Sequence, residues 1–343
     1  MIKVGLIGLG FMGRGHLDVY LRLEEEGFPV KLVAICDIDT TKFQNKFLPG
    51  NLDVGNQKYD FSRYRLYSNY DEMLEKEQLD YVDIALPTYL HADATIKALN
   101  KGMHVLCEKP MAMNPRECQA MIEAAEKNNR KLMIGHCLRF WPAYEYLKEV
   151  VEEEKFGKVL GGYFFRGGTT PKWSYENWLL RKEKSGGALL DQHIHDIDTI
   201  NWLFGMPEAV STVGRNVIEG SGYDIVSTHY FYKDGKVITA EDDWVLNGDF
   251  GFDMRFRVNF EKGNIVYEKG VLKVNPNDGE SFTPELSTDN GYYREIKYFA
   301  SAVLNDTPIE VATPVSSMET IIIAMAEMES ADNCGKHVTL SKP

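Results

Sequence analysis

The stretch IKVGLIGLGFMG, residues 2–13, decides the fold. Ile2 to Ile7 carry little charge, as a strand buried on both faces requires, and Gly8, Gly10 and Gly13 follow as G-x-G-x-x-G. GRGHLDVYLRLEEE (13–26) then reads as a helix. Strand, glycines and helix in this order are what dinucleotide phosphates need. Gly8 permits the tight turn, and Gly10 lets the backbone approach a pyrophosphate. Gly13 lets the helix sit close to the strand, with its amide-rich N-terminus toward the anion.

Outward from this point, KLVAICDID (31–39) is a second strand that reaches Asp37, at the distance from the glycines expected of the acid that holds an adenosine ribose. Asp37 and Asp39 would repel a 2'-phosphate, and no Arg or Ser follows Asp37, so the expected cofactor is NAD in preference to NADP. The connection from Thr40 to Tyr70 is longer than usual and is expected to be a surface excursion. YVDIALP (81–87), HADATIKALNKG (91–102), HVLCEKP (104–110), NPRECQAMIEAAEKNN (114–129) and KLMIGH (131–136) then alternate strand and helix, the pattern of a doubly wound parallel sheet.

A chain of 343 residues predicts two domains, placed at 1–140 and 141–343. The net charge of -13 argues against nucleic acid or an anionic membrane as partner, since both require clustered Lys and Arg. Cys36, Cys107, Cys118, Cys137 and Cys334 are odd in number and never form C-x-x-C, which favours reduced thiols over disulfides or a zinc ribbon. The chain opens as a strand without signal-peptide features, and no apolar run spans a bilayer. The expected location is the cytoplasm.

The second half reads differently. The acidic helix YEYLKEVVEEE (144–154) is the expected domain connection. A strand from Lys158 to Arg166 and the segments 208–218, 225–246 and 251–274 alternate apolar and polar residues around Asp234-Gly235, Lys262-Gly263 and Lys269-Gly270 turns. The fold class is therefore α/β plus α+β: an N-terminal Rossmann doubly wound parallel sheet and a C-terminal domain with a large, mostly antiparallel open sheet. Helices near 187–204, 291–304 and 315–332 are expected to cover one side of that sheet, with the C-terminal pair also able to pack back on the first domain. The open side predicts a homodimer or homotetramer.

LLDQHIHDID (189–198) crowds two histidines and three aspartates together. Leu190, Ile194, Ile197 and Ile200 recur at three and four residues, so the segment is expected to be one helix entered from the Ser185-Gly186-Gly187 turn. Asp191 and His195 then lie one turn apart and Asp198 a turn further on, while His193 points nearly the opposite way. Residues two apart on a helix diverge, so no metal is expected. An aspartate one turn from a histidine suits proton transfer, because imidazole titrates near neutral pH and a carboxylate fixes its tautomer. A plain ion pair on a polar helix face is the alternative.

Together, GLGFMG, ALPTYLHADATIKALNKGMHVLCEKPMA (85–112), the Arg139-Phe140-x-Pro142 segment and SGGALLDQHIHDIDTINWLFG (185–205) resemble the glucose-fructose oxidoreductase and inositol dehydrogenase family, Gfo/Idh/MocA. The resemblance implies a nicotinamide enzyme acting on a secondary hydroxyl of a sugar, sugar acid or cyclic polyol. It assigns Lys109, Asp191 and His195 as catalytic residues, and a cis Lys109-Pro110 bond. Gly8, Gly10, Phe11, Met12, Gly13, Asp37, Leu86, Pro87, Thr88, His91, Glu108 and Lys109 become the cofactor-binding positions. Substrate contacts fall on Arg139, Arg166 and His193, and on the aromatics Trp173, Tyr175 and Trp178, whose ring faces suit a sugar. Core packing is the alternative for these aromatics, and structural salt bridges for the arginines.

Two departures stand out. His193 occupies a position usually held by a small residue, with substrate, neighbouring subunit and core all open to it. Cys137-Leu138 replaces a polar, basic pair, which puts inositol in doubt as substrate. An NAD-dependent glycoside hydrolase working through transient oxidation, a non-catalytic NAD-sensing regulator and a metal-dependent hydrolase are the competing readings.

Overall fold

Six parallel strands form one sheet in the computed structural model, which describes residues 1–45, 50 and 57–341. They are β1 (Ile2–Ile7), β2 (Val30–Cys36), β3 (Arg65–Tyr67), β4 (Tyr81–Ile84), β5 (His104–Glu108) and β6 (Leu132–Gly135), in spatial order β3-β2-β1-β4-β5-β6. The order reverses between β1 and β4, and a crevice outside the carboxyl ends at such a point is where open α/β sheets take ligands. Ile7 pairs with Cys36 and with Ile84, and Ile84 pairs with Cys107. This register brings Gly8, Asp37, Ala85 and Glu108 to the same edge. Four helices connect the strands: α1 (Phe11–Glu25), α2 (Tyr70–Lys76), α3 (His91–Asn100) and α4 (Pro115–Lys127).

This sheet belongs to the first of two compact units, made of Met1–Cys137, Trp173–Trp178 and Gly291–Met318. The connection after Thr40 is more than a surface excursion. It supplies the edge strand β3 and buries Tyr59, Phe61 and Tyr64, with the Arg14 guanidinium over the Tyr59 ring. Residues 46–49 and 51–56 of that connection lie outside the described residues.

The second unit holds Leu138–Lys172, Leu179–Asn290 and Glu319–Pro343. After α5 (Pro142–Glu152) come β7 (Val159–Gly168), the short helices α6 (Lys182–Ser185) and α7 (Gly187–Asp191), and α8 (Ile194–Phe204). The remaining strands are β8 (Ala209–Arg215), β9 (Ile225–Phe231), β10 (Val237–Asp243), β11 (Phe252–Phe260), β12 (Gly263–Glu268) and β13 (Val271–Pro276). Two further helices, α9 (Gly291–Leu304) and α10 (Pro314–Asp332), precede β14 (Val338–Thr339).

The eight strands run β13-β12-β11-β7-β10-β9-β8-β14, antiparallel throughout except for the β7–β10 pair. Period-two burial sorts their side chains: Phe164, Val226, Ile238, Ala240, Phe256 and Val258 face the core, while Val213, Phe231, Val237 and Val271 stay exposed. Within this unit α7 and α8 pack on the sheet. Of the two placements expected for 291–304, α9 takes the second: it packs against α1, β1, β5 and β6 in the parallel-sheet unit. Among the described residues no helix is long and apolar enough to cross a membrane.

Candidate active site

A Cβ on Gly8, whose φ is +98°, would collide with the Ala85 carbonyl, and one on Gly13 with the carbonyl of Gly8. Protein packing alone therefore demands those two glycines. A Cβ on Gly10 would meet nothing within 4 Å. The room above Gly10 fits a pyrophosphate at the start of α1, where no side chain caps the helix and Phe11 and Met12 occupy the first turn. Asp37, 5% exposed, accepts hydrogen bonds from the backbone N–H of Leu9 (2.7 Å) and Asp39 (2.8 Å).

Two further residues converge on Asp37. The Lys42 ammonium lies 2.8 Å from its carboxylate, and the same ammonium sits 5.5 Å from the ring centroid of Tyr175. Lys42 lies five residues past Asp37, beyond the positions directly after it where a cation facing the ribose is expected, and the intervening turn brings it back. Tyr175, singled out for the substrate, is thus brought to the end of β2 beside a cofactor candidate, as part of the segment 173–178 that belongs to the parallel-sheet unit. Trp173 and Trp178 flank it, half-buried.

At the next strand ends, Leu86 and Pro87 are half-buried, Thr88 is buried, and His91 is 1% exposed. The His91 ring nitrogens lie 2.7 Å from the carbonyl oxygens of Leu86 and Pro110, so the ring ties two loops together. The Lys109-Pro110 bond is cis. Lys109 itself is half-buried directly after β5.

Next to Lys109, Glu108 joins a buried cluster whose other members, His16, Asp83 and Glu295, the sequence did not single out. The Nδ1 of His16, on α1, is 2.9 Å from Oδ2 of Asp83, and its Nε2 is 2.9 Å from Oε1 of Glu108. Tyr20 donates to Asp83 (2.7 Å) and accepts from Tyr81 (3.0 Å). The second Glu108 oxygen accepts the backbone N–H of Lys109 at 3.1 Å. Glu295, from α9, completes the group, with one oxygen within 4.8 Å of the His16 nitrogen and the Glu108 oxygen. Burial disfavours a charged His16, but Asp83 and then Glu108 outweigh it and hold the imidazolium well above its usual range. Burial likewise pushes Glu108 up, and His16 overcomes this to hold it low. Glu295 is not compensated in this way: the pull of the His16 charge is outweighed. Burial and the charge of Glu108 keep it well above the usual carboxyl range.

In the second unit the expected single helix is broken. α7 ends at Asp191 and α8 begins at Ile194. The amide of His193 reaches back five residues to the Ala188 carbonyl (2.8 Å), and that of His195 only three, to Gln192 (3.3 Å). Asp191 and His195 are therefore not one turn apart on a continuous ladder, although both are half-buried. The His193 ring is fully buried, with Nε2 3.1 Å from Glu327 of α10. Burial would lower its pKa, but Glu327 outweighs this and raises it. Arg139 grips Asp198 through two nitrogens at 2.9 and 2.7 Å, and Arg166 faces Asp196 through two at 3.3 Å. Both arginines are at most 4% exposed.

The chain belongs to the Gfo/Idh/MocA family. Residues 2–136 match its oxidoreductase, NAD-binding Rossmann model, and residues 144–266 match its C-terminal domain. Among curated relatives, the 2,7-anhydro-N-acetylneuraminate hydratase of Escherichia coli is 28% identical over 70% of this chain and 61% of its own length. Inositol 2-dehydrogenase of Salmonella typhimurium is 28% identical over 76% of this chain and 72% of its own. The chain spans little more than half the length of several other relatives it matches. A solved levoglucosan dehydrogenase in complex with NADH shares the fold with a TM-score of 0.85, covering 100% of both chains at 22% identity.

Proposed function

We propose that this protein is an NAD-dependent oxidoreductase that oxidises a secondary hydroxyl of a sugar, sugar acid or cyclic polyol. The observation that carries the reading is the open space over Gly10 in a turn where Gly8 and Gly13 are demanded by packing. Bound there, NAD supplies the hydride acceptor. The residues of the chain do the rest. Asp37 accepts the ribose hydroxyls, and its charge together with Asp39 favours NAD over NADP, a preference that the Lys42 ammonium moderates. Tyr175 covers the adenosine side beside Lys42.

Lys109 donates to the reacting oxygen and stabilises the negative charge that develops on it. His195 takes the hydroxyl proton, and Asp191 fixes its tautomer. Arg139, Arg166 and His193 are assigned to the frame of the antiparallel-sheet unit, since each is committed to a buried carboxylate. The exposed sheet face bearing Val213, Phe231 and Val237 is assigned to self-association.

The similarity to anhydroneuraminate hydratases favours a second reading, in which the sugar is oxidised and then re-reduced, as in an NAD-dependent glycoside hydrolase, with no net cofactor turnover. A panel of polyols, sugars and sugar acids with NAD or NADP separates the two. Accumulation of reduced nicotinamide, larger with NAD, supports the dehydrogenase. Conversion of an anhydrosugar or release of aglycone from a chromogenic glycoside at catalytic NAD supports the second reading. If neither occurs in protein that binds NADH, both are lost.

A further inference from the structure

We propose that His16 and Glu295 are positioning residues for Lys109, acting through Glu108. The inference rests on the catalytic reading of Lys109 given above. Glu108 is held at both oxygens: Oε1 by the His16 ring, and Oε2 by the backbone N–H of Lys109 itself. The direction in which the chain leaves β5, and hence the place of the Lys109 side chain, is set by how firmly Glu108 is fixed. His16 fixes it by spanning from Glu108 to Asp83, which is fixed in turn by Tyr20. All four side chains are at most 6% exposed, so solvent cannot substitute for any of these bonds.

Glu295 closes the group from α9, fully buried, with neither carboxyl oxygen hydrogen-bonded among the described residues. The groups that face it are Glu108 on β5, His16 on α1 and Asp83 on β4, with Tyr292 on its own helix near the His16 ring. His16 already serves two carboxylates. A third ionised carboxylate would compete for its charge and pull the ring from Glu108, so the arrangement requires Glu295 to carry a proton. A metal ion fits this grouping less well than a proton. Both ring nitrogens of His16 face carboxylates and donate to them, which leaves no lone pair for a ligand bond.

The test uses full-length wild-type protein with Glu295→Gln, His16→Gln and, as control, Lys109→Ala. Infrared spectra of the NADH-free protein at neutral pH should show protonated carboxyl absorption, and a wild-type minus Glu295→Gln difference spectrum should contain one such band. Wild-type kcat should fall at alkaline pH as Glu295 ionises, and Glu295→Gln should flatten that fall. His16→Gln should lower kcat about 10- to 100-fold, as expected for a displaced catalytic group, with KM and NADH affinity changed far less. Reductive methylation of the Lys109 amine, followed by mass spectrometry, should change its rate in His16→Gln and not in a surface variant such as Lys233→Gln.

Folded His16→Gln with unaltered kcat and unaltered Lys109 labelling overturns the inference. So does a protonated carboxyl signal that Glu295→Gln leaves undiminished, or a stoichiometric metal that is lost with that substitution. If Lys109→Ala retains full turnover, the functional reading fails, while the labelling and infrared results still decide whether the cluster positions the amine.

Discussion

Each unit buries a histidine against carboxylates next to its candidate catalytic residues, yet the two arrangements balance charge in opposite ways. In the antiparallel-sheet unit each buried cation among the described residues has its own acid: Arg139 with Asp198, Arg166 with Asp196, His193 with Glu327. In the parallel-sheet unit a single cation, His16, is divided between Asp83 and Glu108. Each cluster also contains one surplus acid that burial, above all, keeps well above the usual carboxyl range, Asp242 in the first and Glu295 in the second. Separate pairs make a stiff frame that fails locally. A shared proton makes a unit whose members respond together, and to pH.

The sharpest way to break this contrast is to delete a cation from each side. Arg139→Ala strands the buried Asp198 carboxylate and should cost about 3–5 kcal/mol, read from urea unfolding followed by tryptophan fluorescence, with little change between pH 6 and 8. His16→Ala should approach that loss only at high pH. At low pH the two acids it leaves behind can take up a proton between them. Equal pH dependence for the two variants would dissolve the distinction.

The surplus acids offer a smaller, sign-specific effect. An acid with a folded pKa raised above its unfolded value contributes fully below about pH 4, and that stability is lost as pH rises through the folded value. Amides need no proton. Glu295→Gln and Asp242→Asn should therefore each gain stability over wild type by up to about 1.4 kcal/mol per pH unit above pH 4, measured as unfolding free energy across a pH series. A gain that is flat with pH would mean that neither group is protonated in the folded chain.

What the sequence made legible follows the range of the interactions. The glycine turn, five of the six parallel strands and the antiparallel second half rest on local periodicity, and their elements lie where that periodicity puts them, whereas the edge strand β3 falls in the 40–70 connection, where no such periodicity shows. The break between Asp191 and Ile194 does not show in Leu190, Ile194 and Ile197, which fit an unbroken helix equally well. His193 spans the break, and its ring is tied to Glu327 on a helix far along the chain. His16, Asp83, Glu108 and Glu295 come from four separate elements, so no spacing rule joins them. Lys42 was within reach, five residues past Asp37, but became meaningful only when a turn brought its ammonium back to that carboxylate.

The smallest effects test the contrast most finely, because they remove an uncharged donor and leave every charge in place. Tyr20 donates to Oδ2 of Asp83, the oxygen that also faces His16. Thr320 donates to Oδ1 of Asp198, whose carboxylate is already held by two nitrogens of Arg139. Where an acid has only a share of a cation, a neutral donor carries more of its stabilisation. Tyr20→Phe should thus cost about 1.5–3 kcal/mol, the range for a hydrogen bond to a charged group. Thr320→Val, similar in shape, should cost about 0.5–1.5 kcal/mol, the range of an ordinary bond. Both are read from urea midpoints at neutral pH with unchanged slopes. A reversed order would show that the shared imidazolium holds its two acids as firmly as a dedicated arginine holds one.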